Sequence, residues 1–310
     1  MIKPKSKIHL FIFTTLIILS LLILCLCFCF LKRGNINTDA VVSIISGINV
    51  ENSSIVDNVT VGSGFFYKPG YIITAGHNAM NTCYAVTYDG DIHETEIVYL
   101  DNTFDIAILK IGSENYPTLK ITTETININD KVFCVCTPKT IFLKGTILTG
   151  LVTNLNINGL SNQYLLQTDL PLSPGCSGSP IINSKGEVIG MNAFKSTEFA
   201  TESLSFAIIS QKLINAIESF ENNKMPLNYG ITLTENFNNQ YGIFLESGIV
   251  IEEISDNSIF NSVLQEKDMI IYVDDVEIFT KADFFENINE KSNLIINRND
   301  EQIKIALSGD

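Results

Sequence analysis

Residues Gly175-Cys176-Ser177-Gly178-Ser179-Pro180 bring a hydroxyl, a thiol and a run of backbone N–H groups into one short stretch framed by glycine. Glycine at 175 can take backbone angles closed to other residues, so the turn can aim the N–H groups of Gly175 and Ser177 into one small concavity. A serine hydroxyl beside two such donors is equipped for acyl transfer. The hydroxyl attacks a carbonyl and the donors hold the oxyanion that forms. A G-x-S-G string is short enough to arise by chance in a glycine-containing turn, so the rest of the chain must decide.

A serine hydroxyl needs a base to take its proton, usually an imidazole held by a carboxylate. The chain has three histidines, and His9 lies inside an apolar segment. His77 ends the run Tyr71-Ile72-Ile73-Thr74-Ala75-Gly76-His77, where a β-branched strand gives way to small residues and its ring would emerge at the strand mouth. His93, in the alternating stretch Asp91-Ile92-His93-Glu94-Thr95, reads as a solvent-facing strand residue. His77 is therefore the better base. Of the carboxylates downstream, Asp105 abuts the core-strand run Ile106-Ala107-Ile108-Leu109 and should be shielded from water, whereas Asp101 reads as a turn residue.

Between Thr38 and Ile209 the chain runs as short apolar segments with little helix, the pattern of paired antiparallel β-barrels. Leu213, Ile214 and Ile217 then recur at helical spacing over Ser210–Phe220, and the polar residues 221–227 form a link. Beyond it, Ser247–Ile254 reads as a strand, Ala282–Ile288 as a helix and Leu294–Leu307 as a closing strand pair.

Gly62-Ser63-Gly64-Phe65-Phe66, Ile73-Thr74-Ala75-Gly76-His77, Phe104-Asp105-Ile106-Ala107-Ile108-Leu109-Lys110, Gln167-Thr168-Asp169, Pro174–Pro180 and Gly186–Asn192 together resemble the ordered landmarks of the HtrA (DegP/DegS-like) branch of the chymotrypsin-fold serine proteases. The spacing agrees: 28 residues separate His77 from Asp105, and 72 separate Asp105 from Ser177. The resemblance implies a mainly β chain with a protease double barrel over 34–220. It implies His77 as general base, Asp105 as its orienter, Ser177 as nucleophile, and the Gly175 and Ser177 N–H groups as the oxyanion hole. Leu172, Ala193 and Phe194 would line the primary specificity pocket. No aspartate matches a trypsin-like pocket floor, so cleavage after small or medium apolar residues is expected. Residues 228–308 resemble a single PDZ domain of the HtrA type, whose Tyr229-Gly230-Ile231 loop would take the terminal carboxylate of a peptide. A small β-rich appendage that only packs on the protease is the other reading of that segment.

Two residues depart from the family pattern, which usually has Asn at the position of Cys176 and glycine at that of Ser179. A cysteine at 176 raises the rival of a thiol nucleophile. In that register the donor two residues earlier would be Pro174, which has no N–H. Loss of one oxyanion donor typically costs about 3 kcal/mol, so Ser177 is the preferred nucleophile. A side chain at 179 could crowd the turn and lower activity.

Lys3, Lys5 and Lys7 precede the apolar run 8–31, and Lys32-Arg33 closes it. Twenty-four residues reach roughly 36 Å as a helix, enough to cross a bilayer core of about 30 Å. An uncleaved anchor fits better than a signal peptide, since no small-x-small cleavage site follows. Residues 1–7 would be a cytoplasmic tail, 8–31 the membrane contact and the catalytic part extracytoplasmic, an orientation taken from the resemblance.

Hydrophobic residues make up 45% of the chain and the net charge is −14; because residues 1–33 carry only cations, the remainder is more acidic still. Such a surface is a poor partner for nucleic acid. Cys134 and Cys136 share a strand face and read as core packing ahead of a metal or redox pair; no metal motif, cofactor motif or disulfide framework is legible. The expected partners are polypeptide substrates and C-terminal peptides. A homotrimer is implied by the resemblance alone. The reading is a membrane-tethered serine endopeptidase acting on unfolded or signalling proteins, with activity falling as His77 protonates near an unperturbed value of about 6.5. A catalytically quiet peptide sensor or chaperone built on the same scaffold is the alternative.

Overall fold

The computed structural model describes residues 36–307 except 48, 52–53, 57–58, 80–81, 156–164, 195–203, 225, 227–228 and 239–242. The apolar segment 8–31 lies outside the described residues, and no helix among them is long and apolar enough to cross a membrane.

The N-terminal strands are β1 (Val41–Ser46), the hairpin β2 (Asn49–Glu51) and β3 (Ser54–Val56), β4 (Thr60–Lys68), β5 (Tyr71–Ala75), β6 (Cys83–Val86), β7 (Ile92–Glu94), β8 (Glu96–Asp101) and β9 (Ile106–Lys110). All but the hairpin join one antiparallel sheet in the order β7-β6-β1-β4-β5-β9-β8. The next six are β10 (Lys131–Cys136), β11 (Thr146–Asn154), β12 (Leu165–Thr168), β13 (Pro180–Ile182), β14 (Val188–Phe194) and β15 (Ser205–Ile209). These close into a barrel in the order β10-β11-β12-β15-β14-β13. The expected pair of barrels is thus one barrel closed by hydrogen bonds and one seven-stranded sheet with β7 and β8 at its edges.

Period-two alternation sorts the apolar side chains onto separate cores. Phe66, Ile72, Ala107 and Leu109 fill the inside of the first sheet. Their sequence neighbours Phe65, Ile73, Ile106 and Ile108 turn the other way and meet Val135, Ile182 and Met191 of the second barrel in a shared core. That shared core fixes how the two β units face each other, and the candidate residues sit where they meet.

Helix α1 (Ser210–Glu221) follows β15 without a side-chain cap and buries Leu213 and Ala216 against the same shared core. The C-terminal unit comprises β16 (Ile231–Asn238), β17 (Ile243–Ile254), β18 (Met269–Val273), β19 (Val276–Glu277), helix α2 (Lys281–Asn287), β20 (Asn293–Arg298) and β21 (Glu301–Ala306). Its sheet runs β16-β17-β18-β20-β21, with β19 paired to β18, around a core of its own that includes Phe260, Ile270, Phe284 and Ile296. Thr280 and Asp283 form a reciprocal capping box that starts α2.

Within this second core Asp268 is only 1% exposed, and Arg298 clasps it with Nε to Oδ1 at 2.7 Å and Nη2 to Oδ2 at 2.6 Å. Removing the guanidinium would strand a buried carboxylate, which costs about 3–5 kcal/mol. Arg298→Ala is expected to lower the unfolding free energy of the C-terminal unit by that much, read from the shift in its chemical-denaturation midpoint. Arg298→Lys should recover only part, because an ammonium cannot match both oxygens at once.

Candidate active site

His77 lies in a 3-10 turn (Gly76–Asn78) directly after β5, and Asp105 directly before β9, the neighbour of β5 in the sheet. The pairing of those strands therefore brings together two residues that lie 28 apart in sequence. The Asp105 carboxylate grips His77 twice, accepting the backbone N–H at Oδ1 and facing ring Nδ1 with Oδ2, each at 2.8 Å. Its own carbonyl accepts Gly76 N–H at 2.9 Å. Asp105 holds φ at 53°, a left-handed conformation that aspartate tolerates better than most residues. The pair is more open than its abutment to a core strand implied, with side chains 47% and 35% exposed for His77 and Asp105.

Hydrogen bonding to Asp105 raises the His77 pKa above its ordinary value; burial opposes this and the carboxylate's charge adds to it. A midpoint near 6.5 is expected for a neutral environment; beside Asp105 the environment is not neutral, and the midpoint moves up. Asp101 is a turn-former, its Oδ1 accepting the N–H groups of Thr103 and Phe104, but it is also buried at 8% exposure. Burial pushes its carboxyl upward despite those two donors. His93 is not simply solvent-facing: its Nε2 lies 2.8 Å from the Tyr116 hydroxyl and its ring packs edge-on against that tyrosine.

The Pro174–Pro180 turn leads into β13, and Gly175 and Gly178 hold φ at 95° and 84°. A Cβ at Gly175 would come within 2.3 Å of the Thr137 carbonyl, and one at Gly178 within 2.1 Å of the Ser63 carbonyl, so neither position admits a side chain. Four successive carbonyls of this turn are tied. Lys139 N–H donates to Pro174 at 2.8 Å, Ser63 Oγ to Gly175 at 2.7 Å, and Asn192 Nδ2 to Cys176 at 2.9 Å. Ser177 receives both Ser63 N–H at 2.8 Å and Asn78 Nδ2 at 2.9 Å.

A trans peptide points its C=O and N–H in opposite directions. With the carbonyls of Pro174 and Cys176 fastened, the N–H groups of Gly175 and Ser177 face the other way, and neither has a hydrogen-bond partner among the described residues. Ser177 is part-exposed, and its hydroxyl makes no hydrogen bond among them either. Cys176 is wholly buried in the barrel core, its sulfur 2.7 Å from that of Cys136. Ser179 is buried without crowding, its Oγ donating to the Cys176 carbonyl at 2.5 Å.

Leu172 is buried in the barrel core beside Leu170 and Cys176. Ala193 and Phe194 belong to β14, and their side chains lie outside the described residues. Tyr229 and Gly230 lead into β16, which begins at Ile231; Gly230 C=O accepts Ser255 N–H at 2.8 Å. Ser63 and Asn78 are the residues that reading along the chain missed. Ser63 was visible only as the centre of Gly62-Ser63-Gly64, and Asn78 only as the neighbour of His77.

The class follows from the chain's match, over residues 62–191, to the family model described as a trypsin-like peptidase domain. Serine endoprotease DegS of Escherichia coli K12 is 28% identical over 293 residues, covering 87% of this chain and 82% of that protein. Serine protease Do-like HtrB of Bacillus subtilis is 28% identical over 249 residues, which is 71% of this chain but only 54% of HtrB. Among solved structures, the serine endoprotease from Yersinia pestis superposes with a TM-score of 0.59 at 23% identity, covering 89% of this chain and 94% of that one. The HtrA-type protease AlgW with decapeptide does so with a TM-score of 0.59 at 18% identity, covering 88% and 94%. Over most of its length the chain is thus similar to HtrA-type serine endoproteases, and its residues 62–191 match a trypsin-like peptidase domain.

Because the Asp105 hydrogen bond is the largest cause raising His77, any activity that needs the neutral imidazole should be lost, as pH falls, through a midpoint above 6.5. Asp105→Asn should move that midpoint downward, leaving burial as the dominant influence, and reduce kcat by about 10⁴-fold. A pH profile of kcat/KM for both proteins checks the direction.

Proposed function

We propose that the chain is a membrane-tethered serine endopeptidase that cleaves exposed segments of unfolded or signalling proteins outside the cytoplasm. What carries the reading is the turn in which the N–H groups of Gly175 and Ser177, without hydrogen-bond partners among the described residues, flank a part-exposed serine whose carbonyl is held by Asn78, the residue next to the carboxylate-held His77. Ser177 attacks the scissile carbonyl while His77 Nε2 takes its proton, and Asp105 steadies the imidazolium through Nδ1. The Gly175 and Ser177 donors stabilise the oxyanion, worth about 3 kcal/mol each. His77 then protonates the leaving amine, and water releases the acyl group by the same steps in reverse.

The C-terminal unit is assigned as a peptide-binding PDZ domain by the resemblance of residues 228–308. Supporting this, Gly230 N–H has no hydrogen-bond partner among the described residues, and the loop opens on a cleft of about 600 Å³ reaching Asn102 and Thr103. AlgW has been solved with a decapeptide and with a tripeptide, and the proposal extends peptide binding to this chain. Residues 8–31 would anchor it, and Leu172, Ala193 and Phe194 would favour small or medium apolar residues before the scissile bond.

The second reading, a quiet scaffold, draws on one observation: Ser177 Oγ makes no hydrogen bond among the described residues, though such bonds often tighten only with substrate. Acylation separates the two. A fluorophosphonate should label the chain at Ser177, Ser177→Ala should abolish labelling and cut turnover of an unfolded substrate about a million-fold, and Cys176→Ser should still label at Ser177. No labelling with or without C-terminal peptides would favour the scaffold, and labelling that vanished with Cys176→Ser but survived Ser177→Ala would move the nucleophile to the thiol. In a peptide library, strict preference for Arg or Lys before the cut would rule out the apolar pocket.

A further inference from the structure

Three of the four described cysteines stand directly behind the nucleophile turn. Cys134 and Cys136 project inward from β10, and Cys176 projects inward from the turn; all three are wholly buried. Their environments differ. Cys83, in the first sheet, faces Thr95 Oγ1 at 2.8 Å, and Cys134 faces Ser179 Oγ at 3.0 Å. Cys136 and Cys176 face each other, sulfur to sulfur at 2.7 Å, across 40 residues of sequence, and Cys136 also interacts with Cys134 beside it on the same strand. That is inside the 3.5–4.0 Å or so of ordinary non-bonded packing and close to the roughly 2.05 Å of an S–S bond.

The two backbones already run in contact here. Just beyond Cys136, the Thr137 carbonyl presses on Gly175 and Lys139 N–H holds the Pro174 carbonyl. Thr137 N–H also donates to Ser63 Oγ at 3.0 Å, the hydroxyl that holds the Gly175 carbonyl. A bond between the sulfurs would join segments that hydrogen bonds already hold together, with a shift of well under an ångström. It would close with the Gly175 and Ser177 donors still facing outward.

We infer that Cys136 and Cys176 are a disulfide site that covalently ties the nucleophile turn to β10. During folding, before the two sulfurs are buried, the Cys176 thiol can lose its proton to solvent. Its thiolate attacks an external disulfide, either a low-molecular-weight disulfide or that of a dithiol oxidase, giving a mixed disulfide and releasing one external thiolate. Cys136, deprotonated, then attacks the Cys176 sulfur and expels the second. The protein loses two protons and two electrons, and the external disulfide is reduced to two thiols. Because both sulfurs are buried in the folded chain, the exchange takes place while the second barrel closes.

The test uses the full chain in detergent, folded with oxidised or with reduced glutathione, then alkylated under denaturing conditions and digested without reductant. The oxidised sample should contain one peptide pair joining Cys136 to Cys176, two hydrogens lighter than the separate peptides, with Cys83 and Cys134 alkylated. Its thermal midpoint should lie roughly 5 °C or more above that of the reduced chain. Cys176→Ser should remove the difference, and so should Cys136→Ser if the first variant folds poorly, whereas Cys83→Ser should keep it. Four alkylated thiols in the oxidised sample, or a link joining Cys134 to either partner, would overturn the assignment. Loss of fluorophosphonate labelling on oxidation would overturn the claim that the link preserves the turn. The peptide mapping reads no enzymatic activity, so its outcome stands apart from that of the proposed protease reaction.

Discussion

Four adjacent carbonyls, from Pro174 to Ser177, each accept a donor from elsewhere in the fold, and the candidate site depends on that fastening. Backbone polar groups shielded from water must find partners, so a turn pressed against two β units has few ways to sit. Here the donors come from both sides. Ser63 in β4 and Asn78 just after β5 come from the first β unit, and Lys139 just after β10 and Asn192 in β14 come from the second. The shared core between the β units sets the distance across which they meet, so packing of Phe65, Ile73 and Ile108 against Val135, Ile182 and Met191 bears on where two N–H groups point. Asn192 spends its amide N–H on the Cys176 carbonyl, and its buried Oδ1 has no partner among the described residues. An unmet buried acceptor typically costs about 1–3 kcal/mol, which the turn's other bonds must outweigh.

The imidazole side is built by a different logic. A single carboxylate holds both the backbone and the ring of His77, so the 3-10 turn and the side-chain rotamer are set by one group. Asp105 does this from a left-handed backbone conformation, anchored by its carbonyl to Gly76 N–H. With both side chains part-exposed, the pair relies on geometry more than on exclusion of water, and the pKa shift of His77 comes chiefly from the hydrogen bond itself.

Much of this was legible along the chain, and the reasons divide cleanly. Helix α1 announced itself through Leu213, Ile214 and Ile217, and the strands through alternating apolar runs, because local periodicity encodes local structure. His77 and Asp105 could be named in advance because each abuts a recognisable core-strand run and the HtrA resemblance pairs them; the structure adds that their strands are sheet neighbours. Ser63 and Asn78 could not. Their bonds to the turn span 112 and 99 residues, and a serine between glycines or an asparagine after a histidine carries no local sign of such a partner. His93 was misjudged for the same reason: Tyr116, 23 residues away, turns an edge-strand histidine into a packed one. Asp105's exposure was also hidden, since a residue's distance in sequence from a core strand says little about what covers its side chain.

The proposal of Ser177 over Cys176 as nucleophile draws on a sequence argument and on the different surroundings of the two side chains. Along the chain, the thiol register failed because Pro174 has no N–H to offer an oxyanion. In the fold, a second constraint acts on the side chain itself. Glycine at 175 and 178 lets the backbone reverse sharply around the pair, so successive side chains leave on opposite sides: Cys176 into the barrel, Ser177 to the part-exposed face. Swapping the two would need the carbonyls of both residues to leave their donors, because each side chain is locked to its own peptide planes. Ser179 strengthens the lock, its hydroxyl bridging the Cys176 carbonyl and the Cys134 sulfur. The two positions where the chain departs from the HtrA pattern it resembles are thus the two whose side chains face inward, where they help hold the turn in place.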